Sequence, residues 1–195
     1  NGKIEQSGIF DEIFVQPASG DAGVAVGACY LAHKAHSPKL KPNKMHNFYL
    51  GSMFSEEKIE AALVERGLPI QRPNDLFERT AARLAKGEII GWFQGGAEFG
   101  PRALGNRSIL TRPFPSDMKD YLNKRVKFRE EFRPFAPAVL FEHASDYFKI
   151  KQESPHMLIA CQATDKAKLE IPSTVHVDDS CRVQTVKPEN NEHFY

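Results

Sequence analysis

Residues 88–110 read Glu-Ile-Ile-Gly-Trp-Phe-Gln-Gly-Gly-Ala-Glu-Phe-Gly-Pro-Arg-Ala-Leu-Gly-Asn-Arg-Ser-Ile-Leu, and this stretch decides the fold prediction. Residues 88–94 are strand-like and end at Gly95 and Gly96. Residues 109–113 predict a second extended segment. The intervening loop combines Gly100, Gly105 and Pro101 with two arginines, a pattern that neither a regular helix nor a regular strand favours.

Positive charge is concentrated in and after this loop. Residues 101–133 contain nine Lys or Arg against four Asp or Glu, whereas the whole chain has a net charge of only +1. A second dense basic block, residues 124–135, follows the loop. Arginines held behind a glycine-rich turn are well suited to bind phosphate or carboxylate groups. The sequence therefore predicts an anionic ligand in this region.

Length and composition set further bounds. A chain of 195 residues is long enough for one full domain, or for one domain with a fragment of another. The balanced charge argues against a general nucleic-acid binder. Cys29, Cys161 and Cys181 lack metal-type spacing and predict free thiols in a reducing compartment. Neither a signal peptide nor an apolar run of membrane-spanning length is present, so a cytoplasmic location without membrane contact is expected.

The N-terminal third begins with a predicted strand–loop–helix unit. Residues 10–16 are predicted to form a strand, residues 17–23 a loop of small residues, and residues 24–33 a helix. This order is typical of a phosphate site at a helix N-terminus, although a stretch this short is more often a purely structural tight turn. Residues 36–47 contain little apolar material and are predicted to be a linker.

The remaining elements predict an α/β domain with a mixed, twisted sheet and flanking helices. Helices are predicted at 55–66 with Ser55 as cap, from residue 74 or 75 to 86, at 117–124 with Ser116 as cap, and at 142–148; strands are predicted at 136–141, 157–163 and within 174–186. A hairpin at 174–186 with a three-residue loop would place His176 opposite Arg182, whereas a two-residue turn would shift that register.

The chain resembles the O-carbamoyltransferases of nodulation and antibiotic biosynthesis. The resemblance is carried by residues 98–110, 118–139 and 176–186, and residues 17–28 are a fourth matching stretch. The resemblance implies an actin-like ATPase-fold domain, related to the tRNA threonylcarbamoyl transferases, followed by a YrdC-like α/β domain. Residues 1–35 would be the end of the first domain, 36–47 the linker and 48–195 a truncated YrdC-like domain. A histidine-rich metal motif and an Asn-Thr-Ser-Phe-Asn stretch of the family would lie outside the chain. A fragment unable to complete the transfer is therefore expected.

The same resemblance implies an activity. Such enzymes use carbamoyl phosphate and ATP with Mg, form carbamoyladenylate with release of pyrophosphate and phosphate, and pass the carbamoyl group to a hydroxyl. The expected partners are carbamoyl phosphate, ATP and a small-molecule or sugar acceptor that bears a hydroxyl. The sequence leaves the acceptor, the pathway and the oligomeric state open.

Four cations are the principal candidates for the anion site: Arg102, Lys127, Arg133 and Arg182. We predict that they converge on one concave pocket, because phosphates that repel one another require fixed cations. Phe128 and Phe132 would bury the stems of the basic side chains. The alternatives are that Arg102 pairs with Glu98, and that Lys127 and Arg133 lie on a solvated basic strand.

Several residues are assigned lesser or separate roles. His176, Asn106 and Ser108 are secondary ligand candidates, the last two also as supports of the loop, and Lys124, Arg125 and Arg129 are interpreted as surface or supporting charges. The family pattern has Gly where this chain has Asp179, which adds a negative charge beside Arg182. Asp21 matches an acidic ligand of iron or a similar divalent metal, but its partner histidines would lie outside the chain, so an empty site is expected.

Two other functions compete with the enzyme. An RNA-binding module would stack bases on Phe128, Phe132 and Phe135, although these residues alternate with charges as core residues would. Salt-dependent RNA binding would separate this hypothesis from the enzyme. A purely structural or regulatory domain would bind no nucleotide at all.

Overall fold

A computed structural model describes residues 1–39, 41, 45 and 47–195. Its α-helices are α1 (Gly2–Ser7), α2 (Asp21–His36), α3 (Glu56–Glu65), α4 (Leu76–Ala85), α5 (Met118–Leu122), α6 (Ala144–Tyr147) and α7 (Asp165–Glu170). A π-helical turn, Asn123–Lys127, continues α5, and 3-10 turns occupy Phe141–His143 and Pro172–Thr174. Positions 40, 42–44 and 46 of the predicted linker lie outside the described residues. No helix in the described ranges is long and apolar enough to cross a membrane.

The strands are β1 (Ile90–Phe93), β2 (Arg107–Leu110), β3 (Ala138–Leu140), β4 (Phe148–Lys149), β5 (Ala160–Ala163), β6 (Ser180–Arg182) and β7 (Gln184–Val186). They pair as β1–β2 antiparallel, β3–β7 parallel, and β4–β5–β6 antiparallel. The predicted α/β class is confirmed, but in the described residues the parallel and antiparallel pairs belong to separate sheets rather than to the one mixed sheet predicted. The strands are distributed over three small sheets.

The main core lies between the β4–β5–β6 sheet and α7. Its buried members are Phe148, Cys161, Ala163, Ala167, Cys181 and Val183. Cys161 and Cys181 are register partners on β5 and β6, and burial raises the pKa of both thiols to about 12. All three cysteines are free thiols, as predicted.

The N-terminal segment packs on this sheet. Glu5 of α1 is 5% exposed, and its Oε1 accepts a hydrogen bond from the Lys151 amide at 2.8 Å. A Cβ on Gly2 would overlap the Ala160 carbonyl oxygen, so α1 and β5 are in backbone contact. Further along, the Gln152 side chain binds both the amide and the carbonyl of Ile13, at 2.9 and 2.7 Å. Residues 1–13 are thus attached to the C-terminal half of the chain.

Several helix predictions are confirmed. Ser55 caps α3, and its hydroxyl accepts from the Lys58 amide at 3.4 Å. Asp75 is the N-cap of α4, and Gly87 follows that helix with φ of 88°. α5 begins one residue later than predicted, with Asp117 rather than Ser116 at its N-cap.

Two strand predictions are wrong. Residues 10–16 form no ladder, because no strand of the described residues lies beside them, and Phe10 and Phe14 are 60% and 78% exposed. The hairpin at 174–186 does not form either. Its first half is a 3-10 turn followed by irregular chain, while β6 pairs with β5 and β7 with β3. His176 and Arg182 are therefore not cross-strand partners.

Candidate anion site

A cavity of about 710 Å³ opens between the loop after β1, the π-helical turn and the β6–β7 segment. This volume is within the ordinary range for small-molecule sites. Six cations line the cavity: Arg102, Arg112, Lys119, Lys127, Arg129 and Arg182. None of its lining residues is Asp or Glu. The structure thus brings together three of the four principal sequence candidates, with Arg133 outside the lining.

The loop that carries Arg102 is held by Glu98. One carboxylate oxygen, Oε1, accepts hydrogen bonds from the amides of Leu104, Asn106 and Arg107 at 2.7, 2.9 and 3.1 Å. Burial raises the pKa of Glu98, but these hydrogen bonds outweigh it and the pKa lies below its ordinary value. Glu98 therefore serves the backbone of the loop, contrary to the alternative in which it pairs with Arg102.

Two glycines allow the loop its close contacts. Gly100 has φ of 132°, and a Cβ there would lie 3.0 Å from the Pro17 carbonyl oxygen. Gly105 has φ of 107°, and a Cβ there would lie 2.6 Å from Cγ of Phe194. L-residues rarely adopt such backbone angles, so glycine is required on conformational as well as steric grounds.

The other polar residues of the loop make hydrogen bonds within and around it. Arg107 donates to the carbonyls of Ser52, Gln94, Gly95 and Asn106 at 2.6 to 3.0 Å, and its guanidinium lies 3.6 Å from the Phe93 ring centroid. Asn106 is 4% exposed and donates to the Gly96 carbonyl at 2.7 Å. Asn106 is outside the lining of the cavity, so the structure supports its role in the loop. Ser108 lines the cavity, and its hydroxyl accepts from the Gly105 amide at 3.0 Å.

Three guanidinium groups in the cavity repel one another. Burial lowers the pKa of Arg182 first, and the charges of Arg102 and Arg129 lower it further. The Nε atoms of Arg102 and Arg182 are enclosed and have no hydrogen-bond partner. Within the described part of the chain, only Lys119 of the six cavity cations has a carboxylate within 4.0 Å, that of Asp120 at 3.4 Å. An anion would relieve both the repulsion and the missing hydrogen bonds.

Asn123, which is fully buried, organises the second basic segment. Its Oδ1 accepts from Nε of Arg129 at 2.7 Å, and its Nδ2 donates to the carbonyls of Glu131 and Arg133 at 3.1 and 2.8 Å. The chain then turns at Phe128, whose φ is 48°. The π-helical turn and this left-handed residue place Lys127 and Arg129 together at the cavity.

Sequence reasoning did not place Arg129, Arg112 or Lys119 in the cavity, and it interpreted Arg129 as a surface or supporting charge. The sequence offered one sign that Arg129 could lie at the site, namely its position two residues after Lys127 in a glycine-free basic segment. Arg112 donates to the Ala85 carbonyl at 3.2 Å and stacks on Phe114, with 4.9 Å to the ring centroid. Its Nε is enclosed without a partner.

Arg133 and the phenylalanines differ from expectation. Arg133 is exposed, and its Nε lies 3.6 Å from Oε2 of Glu130. Phe128 and Phe132 are 83% and 79% exposed, so they do not bury the stems of the basic residues and do not belong to the core. The interpretation of these two rings as core residues is wrong, because the turn after Lys127 directs them outward.

His176 lies in a turn, outside the cavity lining. Its Nδ1 is 3.1 Å from the Ser180 hydroxyl, which in turn donates to Asp178 at 2.7 Å. Burial lowers the pKa of His176, and nearby Arg182 and Lys119 lower it as well. Asp179 has φ of 62°, a left-handed backbone conformation that glycine adopts more readily than other residues. Its carboxylate binds Lys168 at 2.6 Å, so its charge is neutralised by that lysine.

Asp21 is the first residue of α2 and is exposed. Across residues 1–39, 41, 45 and 47–195, no group of three or more His, Cys, Asp or Glu is arranged to hold a metal. A lone carboxylate does not satisfy the coordination of iron or a similar metal. The described residues do not fit that ion, and the role of Asp21 as a metal ligand remains a prediction.

Comparison with known proteins identifies the family of this chain. Residues 81–195 match the family model described as the carbamoyltransferase C-terminus, and residues 1–30 match the one described as the carbamoyltransferase N-terminus. The chain belongs to the carbamoyltransferase family. The family-model match includes the arginine loop, the π-helical turn and the β6–β7 segment, and therefore the whole cationic lining of the cavity.

Curated relatives agree with this assignment. Nodulation protein NolNO of Sinorhizobium fredii is 40% identical over 100% of this chain and 30% of its own length. Nodulation protein NolO of Bradyrhizobium diazoefficiens is 39% identical over 100% of this chain and 37% of its own length. The 3'-hydroxymethylcephem-O-carbamoyltransferase of Streptomyces clavuligerus is 33% identical over 100% of this chain and 36% of its own length. The chain thus spans about a third of the curated relatives it matches.

Proposed function

We propose that this chain supplies the carbamoyl phosphate and ATP site of an O-carbamoyltransferase. The observation that carries the proposal is the cavity lined by six cations and no carboxylate. Two polyanionic substrates repel each other in water, and fixed guanidinium groups hold them together with no reorganisation during the reaction. The YrdC-like character of this domain is part of the same proposal.

The proposed reaction is the formation of carbamoyladenylate. Carbamoyl phosphate and water give carbamate and inorganic phosphate, as the bond between the carbonyl carbon and the bridging oxygen breaks. A carbamate oxygen then attacks the α-phosphorus of ATP and expels pyrophosphate. An acceptor hydroxyl next attacks the carbamoyl carbon, so that AMP leaves and the hydroxyl proton is released. The product is an O-carbamoyl ester of a small molecule or sugar.

The cavity cations have distinct parts in this scheme. Arg102 and Arg182, whose Nε atoms are enclosed and unpartnered, bind phosphate oxygens in a bidentate manner. Arg129 is oriented by Asn123 and adds charge at the same place, while Lys127 contributes a mobile ammonium at the exposed edge. Together they stabilise the charge that develops on the leaving pyrophosphate and phosphate.

Magnesium would enter with the nucleotide. Mg²⁺ prefers oxygen ligands, and the cavity lining offers no carboxylate to bind it directly. The ion would thus be held by phosphate oxygens and water, with this chain acting on the remaining negative charge. We further propose that the reaction takes place in the cytoplasm and that acceptor recognition depends on parts of the longer protein.

A second candidate function has one observation in its favour. Phe128 and Phe132 are exposed beside Lys127 and Arg129, as base-stacking residues of an RNA-binding surface would be. The cations themselves line a cavity, which suits a small anion better than a polymer. Filter retention of RNA at increasing salt concentrations separates the two functions, because RNA binding falls steeply with salt.

The direct test uses the intact protein that contains this chain. We expect exchange of labelled pyrophosphate into ATP only when carbamoyl phosphate is present. Arg102→Ala and Arg182→Ala should each abolish most of this exchange, while a surface variant such as Arg83→Ala, whose partner is Glu88, should retain it. Exchange that is independent of carbamoyl phosphate, or that survives both cavity variants, would contradict the proposed function.

A further inference from the structure

Gln184, the first residue of β7, has an unused hydrogen-bond acceptor in a buried position. It lines the cationic cavity and is 3% exposed. Its Nε2 donates to the Leu104 carbonyl at 3.0 Å, while its Oε1 is enclosed and has no hydrogen-bond partner. A buried acceptor without a donor destabilises a protein, and such an exception commonly marks a place where a ligand binds.

The orientation of this amide is fixed by its neighbours. The Leu104 carbonyl also accepts from the Tyr49 hydroxyl at 3.0 Å, so it presents only lone pairs to the glutamine. Rotating the amide would place two oxygens against each other, so the nitrogen must face Leu104. The backbone N–H of Gln184 donates a hydrogen bond to the Pro137 carbonyl at 2.9 Å, and Gln184 is the register partner of Ala138 in the β3–β7 pair. The unpartnered atom is therefore the oxygen.

The strand geometry places Gln184 beside Arg182. Side chains alternate between the two faces of extended chain, and Val183 between them is fully buried in the core. Arg182 and Gln184 therefore share the opposite face, and both line the cavity. One face of a short extended segment thus carries the guanidinium of Arg182 and, two residues on, the side-chain amide of Gln184, which also lines a small neighbouring cavity with Leu104.

This pair fits a ligand with an anionic group and an N–H donor close together. The cavity cations only donate hydrogen bonds, so they have nothing to offer an –NH2 group. In carbamoyl phosphate the –NH2 group is separated from phosphorus by one carbon and one oxygen. We propose that Gln184 Oε1 accepts a hydrogen bond from the carbamoyl –NH2 and so selects carbamoyl phosphate over other acyl phosphates. This inference rests on the proposed function.

The 6-amino group of adenine is another N–H donor among the proposed substrates. In ATP the ribose separates that group from the phosphates, whereas the carbamoyl nitrogen lies beside its own phosphate. The common face of Arg182 and Gln184 therefore favours the carbamoyl group. The experiment includes ATP so that the two donors are distinguished.

The test is calorimetric titration of the intact protein with carbamoyl phosphate, acetyl phosphate, inorganic phosphate and ATP. Acetyl phosphate replaces the –NH2 group by a methyl group and would leave Oε1 unpaired. We expect the unmodified protein to bind carbamoyl phosphate about 10- to 100-fold more tightly than acetyl phosphate. Gln184→Met should reduce this ratio to within about threefold by weakening carbamoyl phosphate alone.

Thr185→Val is the matched control. Thr185 is 2% exposed and adjacent on β7, and its hydroxyl accepts from the Ser154 amide at 2.7 Å. The variant should lower stability and leave the ratio unchanged. An unmodified protein without preference for carbamoyl phosphate overturns the proposal even if Gln184→Met fails to fold. The proposal is also overturned if Gln184→Met lowers the affinity for all four ligands equally, or lowers the affinity for ATP alone. An unmodified protein that binds none of the ligands refutes the proposed function itself.

Discussion

The cations of helices α3 and α4 and the cations of the cavity have opposite surroundings. Arg72 near α3 and Arg83 on α4 bind the carboxylates of Glu60 and Glu88 at 2.7 and 2.6 Å. In the cavity, Arg102 and Arg182 have no hydrogen-bond partner at Nε, and the pKa of Arg182 is lowered by burial and by its charged neighbours. The charge of a paired surface cation is already compensated by a carboxylate, whereas the half-buried Arg102 and Arg182 keep an enclosed donor and an uncompensated charge that an anion would satisfy.

The arginine loop contains the same contrast within five residues. Arg107 donates to four backbone carbonyls and supports the loop. Arg102 lines the cavity. Both occur in the same glycine-rich motif, so motif membership alone does not distinguish a supporting arginine from a binding one.

The largest expected effect is that of Arg107→Ala on folding. The substitution leaves the carbonyls of Ser52, Gln94, Gly95 and Asn106 without this donor, which should lower the free energy of unfolding by about 3 kcal/mol. Urea denaturation measures it. Arg102→Ala is the control and should unfold at an unchanged or higher urea concentration, because it removes repulsion. Equal losses in the two variants would show that the two arginines do not differ in role.

The next effect is that of Arg102→Ala on binding. Loss of a charge-assisted, bidentate contact should lower the affinity for carbamoyl phosphate about 10- to 100-fold, or by roughly 1.5–3 kcal/mol. Arg102→Lys should restore little, because an ammonium lacks the planar pair of donors. Calorimetric titration of the folded variants measures both. Normal affinity in Arg102→Ala would remove this residue from the site.

A smaller effect concerns the pH dependence of stability. The folded-state pKa of Glu98 is lowered, so its contribution is complete above its ordinary value of 4.5 and is lost as pH falls through the folded pKa. Unfolding free energies measured from pH 7 to pH 3 should therefore decline on the acidic side. Glu98→Gln should be less stable at pH 7 and show a shallower decline. The same slope in both proteins would mean that other carboxylates account for it.

The smallest effect is expected at the surface pair. Arg83→Ala removes an exposed ion pair with Glu88 and should change neither binding nor stability measurably. Titration and urea denaturation under the conditions used for Arg102→Ala provide the comparison. A binding defect as large as that of Arg102→Ala would indicate that long-range charge, rather than the cavity, determines affinity.

The sequence predicted the helices well where the signals were local. Ser55 caps α3 through its hydroxyl, Asp75 occupies the N-cap position of α4 and Gly87 follows that helix, because the ends of a helix depend on neighbouring residues. The strand at residues 10–16 and the hairpin at 174–186 failed, because a strand requires a partner that local periodicity does not specify. Cys181 on β6 is the strand-register partner of Cys161 on β5, and β5 lies outside the predicted hairpin.

The site was predicted in part for similar reasons. Arg102, Lys127 and Arg182 were expected in one pocket and line one cavity, but their roles as ligands remain predictions. Arg129 joins them through the left-handed turn at Phe128. This conformation is uncommon for phenylalanine, so the sequence does not predict it. Arg133 was expected beside Lys127 but lies on the exposed side of the Asn123-supported loop.

The contact between Glu5 and the Lys151 amide joins residues separated by 146 positions. Ribosomes add about 5–20 residues per second, so α1 would wait on the order of ten seconds for its partner during synthesis. Throughout that interval the side chain of Glu5 and the contact surface of Gly2 remain exposed to the solvent and to chaperones. Within residues 1–195, α1 therefore depends on a partner segment that is made much later.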